Sequence, residues 1–191
     1  HPDKLHTVGK PMPGHDMRLI DAAGNEVPQG EVGEVVGRSP VMMNGYYNQP
    51  KKTAQAYWWD RDGNRYIRTG DVGRFDADGF LTLLDRQKDM IISGGFNVYP
   101  SDLEAVLTKH EAVSEAAVVG VASEQWGETP VAFVVLRPNH DVGAAQLCRW
   151  ANERLGRTQR LSAVELVASL PRSAIGKVLK RELRDLVNSR P

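Results

Sequence analysis

At 191 residues the chain is long enough for one large globular domain or two small ones. Its 24 basic and 24 acidic side chains cancel, so no charge excess argues for a nucleic-acid or anionic-membrane partner. A single cysteine excludes an internal disulfide framework and fits a reducing, cytoplasmic setting, and no apolar run approaches the length of a membrane span.

The first part of the chain is dense in turn signals. Pro11-Met12-Pro13-Gly14, Ala23-Gly24-Asn25, Asp62-Gly63 and Asp78-Gly79 separate short apolar stretches. Strands are expected at residues 17–20, 34–37, around Ile67, at 72–75 and at 80–84, the last two joined by a hairpin over Asp78-Gly79. Residues 51–58 read as a helix. The pattern predicts a small antiparallel β-barrel-like subdomain over residues 1–85.

Beyond the charged run Asp85-Arg86-Gln87-Lys88-Asp89 the character changes. A short strand at 90–92 ends at Gly94-Gly95. Ser101-Asp102-Leu103-Glu104 has the form of a capping box, with Leu103, Val106 and Leu107 as the apolar face of the helix it would start. Residues 116–121 and 131–136 are continuous valine-rich runs, the pattern of strands buried on both faces. A helix follows at 144–155, where Cys148 falls in step with Leu147, Ala151 and Leu155 and so packs rather than reacts. A strand is expected at 164–167, and Leu179, Leu183, Leu186 and Val187 form the stripe of a closing helix. The fold class is α+β, with the second domain, residues 86–191, a sheet covered by three helices. The run at 85–89 reads as a solvated turn or as a hinge.

Chemistry concentrates in three places. Arg68-Thr69-Gly70-Asp71 and Asp85-Arg86 each set a carboxylate near an arginine. A carboxylate can accept both hydroxyls of a ribose, and a guanidinium offers forked donors to ribose oxygens or phosphate. The same residues taken alone also suit an ordinary surface ion pair. Ser93-Gly94-Gly95 follows, and Pro171-Arg172-Ser173-Ala174-Ile175-Gly176-Lys177 presents a lysine after a glycine turn. That segment is not a Walker loop, because Pro171 replaces the first glycine and Val178 follows the lysine. The five histidines are scattered without metal-ligand spacing, and no nucleophile-elbow motif occurs. The basic residues Lys177, Lys180, Arg181 and Arg184 lack interleaved aromatics and read as a solvated face.

Taken together and in order, these segments resemble the adenylate-forming (AMP-binding) enzymes: acyl- and aryl-CoA synthetases, luciferases and peptide-synthetase adenylation domains. The resemblance rests on Gly33-Glu34-Val35-Val36-Gly37, Asn44-Gly45-Tyr46-Tyr47, Arg68-Thr69-Gly70-Asp71, Asp85-Arg86-Gln87-Lys88-Asp89, Ser93-Gly94-Gly95-Phe96-Asn97-Val98-Tyr99-Pro100 and the Gly176-Lys177 segment. It implies that Asp71 and Arg86 bind the ribose and phosphate side of the adenylate, that Lys88 is the hinge, and that Gly94, Gly95 and Trp126 line a CoA tunnel. Lys177 would bridge carboxylate and α-phosphate during adenylation. Trp126 could equally be a buried anchor, and Gly94-Gly95 a plain tight turn.

The implied reaction joins a small carboxylic acid to coenzyme A at the expense of ATP, with Mg²⁺ accompanying the nucleotide and a fatty or aryl acid as substrate. Luciferases carry a second lysine where this chain has Ile92, so any role of that lysine is absent here. The sequence starts at His1, and the family's ATP loop and acid pocket belong upstream. The chain is therefore expected to be the C-terminal part of a longer enzyme, inactive without its missing N-terminal domain. The proline–glycine–lysine pattern also implies a lysine acetyltransferase as a partner that modifies Lys177. Two other readings stay open: an adenylation domain loading a carrier protein, and a non-catalytic binding module.

Overall fold

A computed structural model describes residues 2–188. The chain divides into two compact units, His1–Lys88 and Asp89–Pro191.

The first unit is a curled antiparallel half-barrel of five strands, β1 (Asp16–Ile20), β2 (Val32–Arg38), β3 (Tyr57–Trp59), β4 (Arg65–Phe75) and β5 (Leu81–Arg86). The long strand β4 pairs with β2 along one edge. Its other edge is shared, β3 pairing with residues 65–67 and β5 with residues 71–75. Strand alternation sends neighbouring residues of β2 to opposite faces. Val35 packs with Leu19 and Leu81, while Val36 packs with Ile20 and Tyr66.

Three turns of this unit reuse one device. Asp21, Asp60 and Asp76 each accept, through a side-chain oxygen, the amide of the residue four positions on, at 2.7–2.9 Å. Each backbone carbonyl accepts the amide of Gly24, Gly63 or Gly79, and those glycines take φ of +85°, +77° and +80°, which suits a residue without Cβ. The donors hold all three carboxyls below the ordinary range. For Asp21 the Asn25 amide dominates; for Asp76 the Lys4 ammonium does. Burial works against the charge of Asp60 but is outweighed by Asn64, Asp62 and Arg18.

The helix expected at residues 51–58 is shorter than the sequence suggested. α1 spans Pro50–Gln55, and Tyr57–Trp59 is a strand. Proline starts the helix because its fixed φ suits the first turn. The aromatic run leaves it because ladder pairing and packing outweigh helix propensity: the Trp58 indole donates to the Gly24 carbonyl at 2.8 Å and meets the Tyr66 ring edge-on.

The second unit holds β6 (Ile91–Ser93), β7 (Phe96–Val98), α2 (Pro100–Leu107), β8 (Val113–Ser123), β9 (Gly127–Leu136), α3 (Ala144–Asn152), β10 (Ala163–Leu166) and α4 (Lys180–Asn188). β8 and β9 form a long antiparallel hairpin. β10 lies parallel to β9, and the β6–β7 hairpin joins β9 where Ser93 faces Gly127. The valine runs are buried on both faces. Val118, Ala132 and Val134 pack with residues of α2 and α3, and Ala117, Val119, Val131 and Phe133 pack with Leu183 of α4.

The capping box does not form. Pro100 occupies the first turn of α2 with Tyr99 at the cap and no side-chain cap bond. Glu104 is drawn instead into tertiary contacts, accepting the Val118 amide at 2.8 Å and pairing with Lys180 at 2.8 Å. Cys148 packs against the core beside Leu161 and Asn152, and burial pushes its thiol pKa up.

The turn carboxylates predict acid sensitivity. Because their folded pKa values lie below the unfolded ones, their contribution is complete above about pH 4 and is lost as pH falls through the depressed values. Urea denaturation followed through Trp58 should show stability falling from about pH 4 downward. Asp76→Asn should flatten that slope; an unchanged slope would contradict the assignment.

Candidate active site

On the first unit, Asp71 and Arg86 are direct cross-strand partners of β4 and β5, and Arg86 Nε lies 3.0 Å from Asp71 Oδ1. The ladder is irregular on both sides of Asp71. β2 and β4 shift register between Glu34 and Val36, and β4 and β5 shift between Val72 and Gly73. Gly70, at φ +72°, turns the strand just before the aspartate. The turn is tied down by Thr69, whose hydroxyl donates to the Val35 carbonyl at 2.8 Å and accepts the Asp71 amide at 3.1 Å. Such bulges re-aim side chains. Here the result is a partly exposed carboxylate with one oxygen on Arg86 and the other without a partner among the described residues.

Arg68 is not part of that pair. It forms a forked contact with Glu34, a buried carboxylate 5% exposed, and the pair raises the arginine's already high pKa against the opposing effect of burial. Glu34 and Arg68 thus brace the β2–β4 ladder beside the bulge. The Gly-Glu-Val pattern marked Glu34 as part of a strand but gave no sign of this partner, 34 residues away.

Lys88 lies in a 3₁₀ turn, Gln87–Asp89, at the last position of the first unit, with its side chain exposed. In the second unit Asp89 pairs with Arg184 of α4 at 2.8 Å.

Gly94 and Gly95 form the tip of the β6–β7 hairpin at φ +57° and +82°. The Gly94 amide donates to the Trp126 carbonyl at 2.8 Å. A Cβ at Gly94 would come within 2.9 Å of the Trp126 ring, whereas one at Gly95 would meet nothing within 4 Å. Glu128, just past the β8–β9 turn, completes the attachment by accepting the Ile92 amide at 2.9 Å. Trp126 is not a buried anchor, since half of it (50%) stays exposed. It lines a cavity of about 680 Å³ together with Phe96, Leu161, Ser162, Arg157 and Arg160. Neither arginine has an ion-pair partner among the described residues. The sequence held no readable signal for this pair, since two arginines after a helix look like any solvated surface.

The Lys177 side chain is exposed and has no ion-pair partner among the described residues. The loop is a tight turn in which the Gly176 amide donates to the Ser173 carbonyl at 2.8 Å and the Lys177 amide to Ser173 Oγ at 3.2 Å. Gly176 has φ +82°. An ammonium on such a turn can serve a developing negative charge without a compensating carboxylate beside it.

Comparison with known proteins decides the family. Residues 1–47 match the AMP-binding enzyme family and residues 102–177 match the AMP-binding enzyme C-terminal domain. The chain belongs to the AMP-binding enzyme family. Among its relatives is 2-succinylbenzoate–CoA ligase of Geobacillus kaustophilus, 42% identical over 184 residues, covering 96% of this chain and 36% of that protein. The medium/long-chain-fatty-acid–CoA ligase FadD8 of Mycobacterium tuberculosis is 38% identical over 188 residues, covering 95% and 32%. The crystal structure of ATP-bound MatB from Rhodopseudomonas palustris superposes with a TM-score of 0.88 at 34% identity, covering 96% of this chain and 36% of that one. The chain spans about a third of the length of the curated relatives it matches.

The glycine hairpin gives a direct test. Gly94→Ala should cost about 1–2 kcal/mol from the left-handed backbone and displace the Trp126 ring, seen as a shifted indole NMR signal. Gly95→Ala should cost the same strain and leave that signal in place. Equal shifts in both variants would refute the close approach of Gly94 to Trp126.

Proposed function

We propose that these residues serve an ATP-dependent carboxylic acid–CoA ligase, as the last subdomain of its large domain and its small domain, with a hinge at residues 85–89 centred on Lys88. The acid is of the fatty or aryl class, in keeping with the two ligase relatives. In the first half-reaction the carboxylate attacks the α-phosphorus of ATP and pyrophosphate leaves, giving an acyl-adenylate. In the second the CoA thiol attacks the acyl carbon, AMP leaves and the thiol proton is released.

Each candidate residue has a physical task in that scheme. The open oxygen of Asp71 accepts the ribose hydroxyls, and the outer amino groups of Arg86 face the ribose or phosphate oxygens. Lys177 stabilises the charge that develops on the phosphorus oxygens. Gly94 and Gly95, lacking side chains, let the thin pantetheine arm pass close to the backbone. No group of three or more His, Cys, Asp or Glu that could hold a metal lies among the described residues. Mg²⁺ is proposed to accompany the ATP phosphates. The exposure of Lys177 also makes it reachable by an acetyltransferase, and acetylation would remove the ammonium the first half-reaction uses.

The observation that carries the thioester half is the cavity beside Gly94. Aromatic faces at Phe96 and Trp126 suit a purine, and unpaired arginines at 157 and 160 suit phosphates. Coenzyme A offers both on one molecule, and pantetheine offers neither. In the full-length enzyme, Arg160→Ala should raise KM for CoA about tenfold or more, the scale of a lost hydrogen bond to a charged group. Use of pantetheine as acceptor should be unchanged. Equal losses with both thiols would remove Arg160 from nucleotide recognition, and activity only with a carrier protein would favour a carrier-loading enzyme. The 191-residue chain alone should show no acid-dependent pyrophosphate exchange; clear exchange would overturn the proposal that essential residues lie outside it.

A further inference from the structure

The position of Lys177 depends on a peptide unit that is held at both ends. The carbonyl of Gly176 and the amide of Lys177 belong to one planar unit. Arg172 Nη1 donates to that carbonyl at 2.6 Å, and Ser173 Oγ accepts that amide at 3.2 Å. With the plane fixed at both ends, the direction in which Lys177 leaves the backbone is fixed as well.

The second arm of the same guanidinium reaches the sheet. Arg172 Nη2 donates to Glu115 Oε2 of β8, 57 residues away in sequence. The loop is rooted in the core by Leu170 and Val178, and closed by the Arg172–Val178 bridge and the bond from the Leu179 amide to the Pro171 carbonyl. Among the described residues, the Arg172–Glu115 pair is the polar contact that ties its tip to β8.

We infer that Arg172, backed by Glu115, is a positioning residue for Lys177. The inference rests on the reading above that Lys177 serves adenylation. Both side chains of the pair are more than two-fifths exposed, at 44% and 41%. An ion pair that open to water adds little to stability. Its consequence is geometric, because a planar fork spans two acceptors at a set angle, which a lysine cannot do. Small displacements of a positioned group matter at this level, about 100-fold in rate for 1 Å.

The test has one arm in this chain and one in the full-length enzyme. In the chain, Arg172→Ala should speed amide exchange at Gly176 and Lys177 by about tenfold, leaving Val118 and Val119 of β8 unchanged. Glu115→Gln should give a smaller increase, and Arg172→Lys should restore part of the protection. Unchanged exchange at Gly176 and Lys177 in Arg172→Ala would overturn the inference whatever reaction the lysine serves. In the full-length enzyme, Arg172→Ala should lower the maximal rate of acid-dependent pyrophosphate exchange about tenfold, with KM for ATP and the thermal midpoint held and partial rescue by Arg172→Lys. Lys177→Ala in the same assay separates the two claims. A parental rate in Lys177→Ala refutes the role given to the lysine. A slow Lys177→Ala beside a parental Arg172→Ala refutes the brace.

Discussion

Burial of the β8–β9 hairpin on both of its faces is the constraint on which the second unit depends. Residues 117–119 of β8 and 131–134 of β9 send side chains alternately to the α2–α3 face and to the α4 face. Deleting a large side chain from such a layer costs about 3–5 kcal/mol, a substantial part of a small domain's stability. A frame that rigid can carry polar attachments at its ends. At its turn the Trp126 carbonyl and Glu128 hold the glycine hairpin. In its middle the Val118 amide takes up Glu104 of α2. Near its start Glu115 meets Arg172 of the lysine loop. The second unit's own elements proposed to act, the glycine hairpin and the lysine loop, are thus referred to one strand pair.

The first unit solves a different problem, that of presenting charge at the surface without leaving the backbone unsatisfied. β4 is one continuous strand whose outer edge changes partner from β3 to β5, and the change falls near Gly70. Thr69 fills the hydrogen bonds that the irregularity opens. Asp71 and Arg86 then face each other between the two register shifts, partnered yet partly open to solvent. The buried charge in this neighbourhood belongs to Glu34, which is satisfied by Arg68 and does no more than support. The charges proposed to act thus lie at the rim and the supporting ones within, an economical division, since a buried carboxylate could not reach a nucleotide.

What the sequence disclosed and what it hid follow from the range of the forces involved. The valine runs were legible as doubly buried strands because burial on two faces leaves no polar alternation to misread. The turns were legible because an aspartate, a glycine and four residues suffice to build each of them. The turn before Lys177 was legible because its glycine and serine lie within four positions of the lysine. Tyr57–Trp59 was misjudged as helix because its pairing with β4 and the indole bond to Gly24 depend on distant segments. The capping box failed for the same reason, as Glu104 found Val118 and Lys180 in place of its own helix start. Glu34 with Arg68, Arg172 with Glu115 and the cavity arginines 157 and 160 gain meaning from register, which no local pattern announces.

The family and the fold are established by comparison, while the chemistry is proposed, and the two are joined by the claim that a carboxylate attacks the α-phosphorus. Isotope transfer tests that claim most directly. The full-length enzyme, given a carboxylic acid labelled with ¹⁸O in both oxygens, ATP and CoA, should release AMP carrying one ¹⁸O in its phosphate, because the bridging oxygen of the acyl-adenylate leaves with AMP when the thiol attacks. Unlabelled AMP, or ADP formed together with ¹⁸O-labelled inorganic phosphate, would contradict an acyl-adenylate route and with it the tasks assigned to Asp71, Arg86 and Lys177.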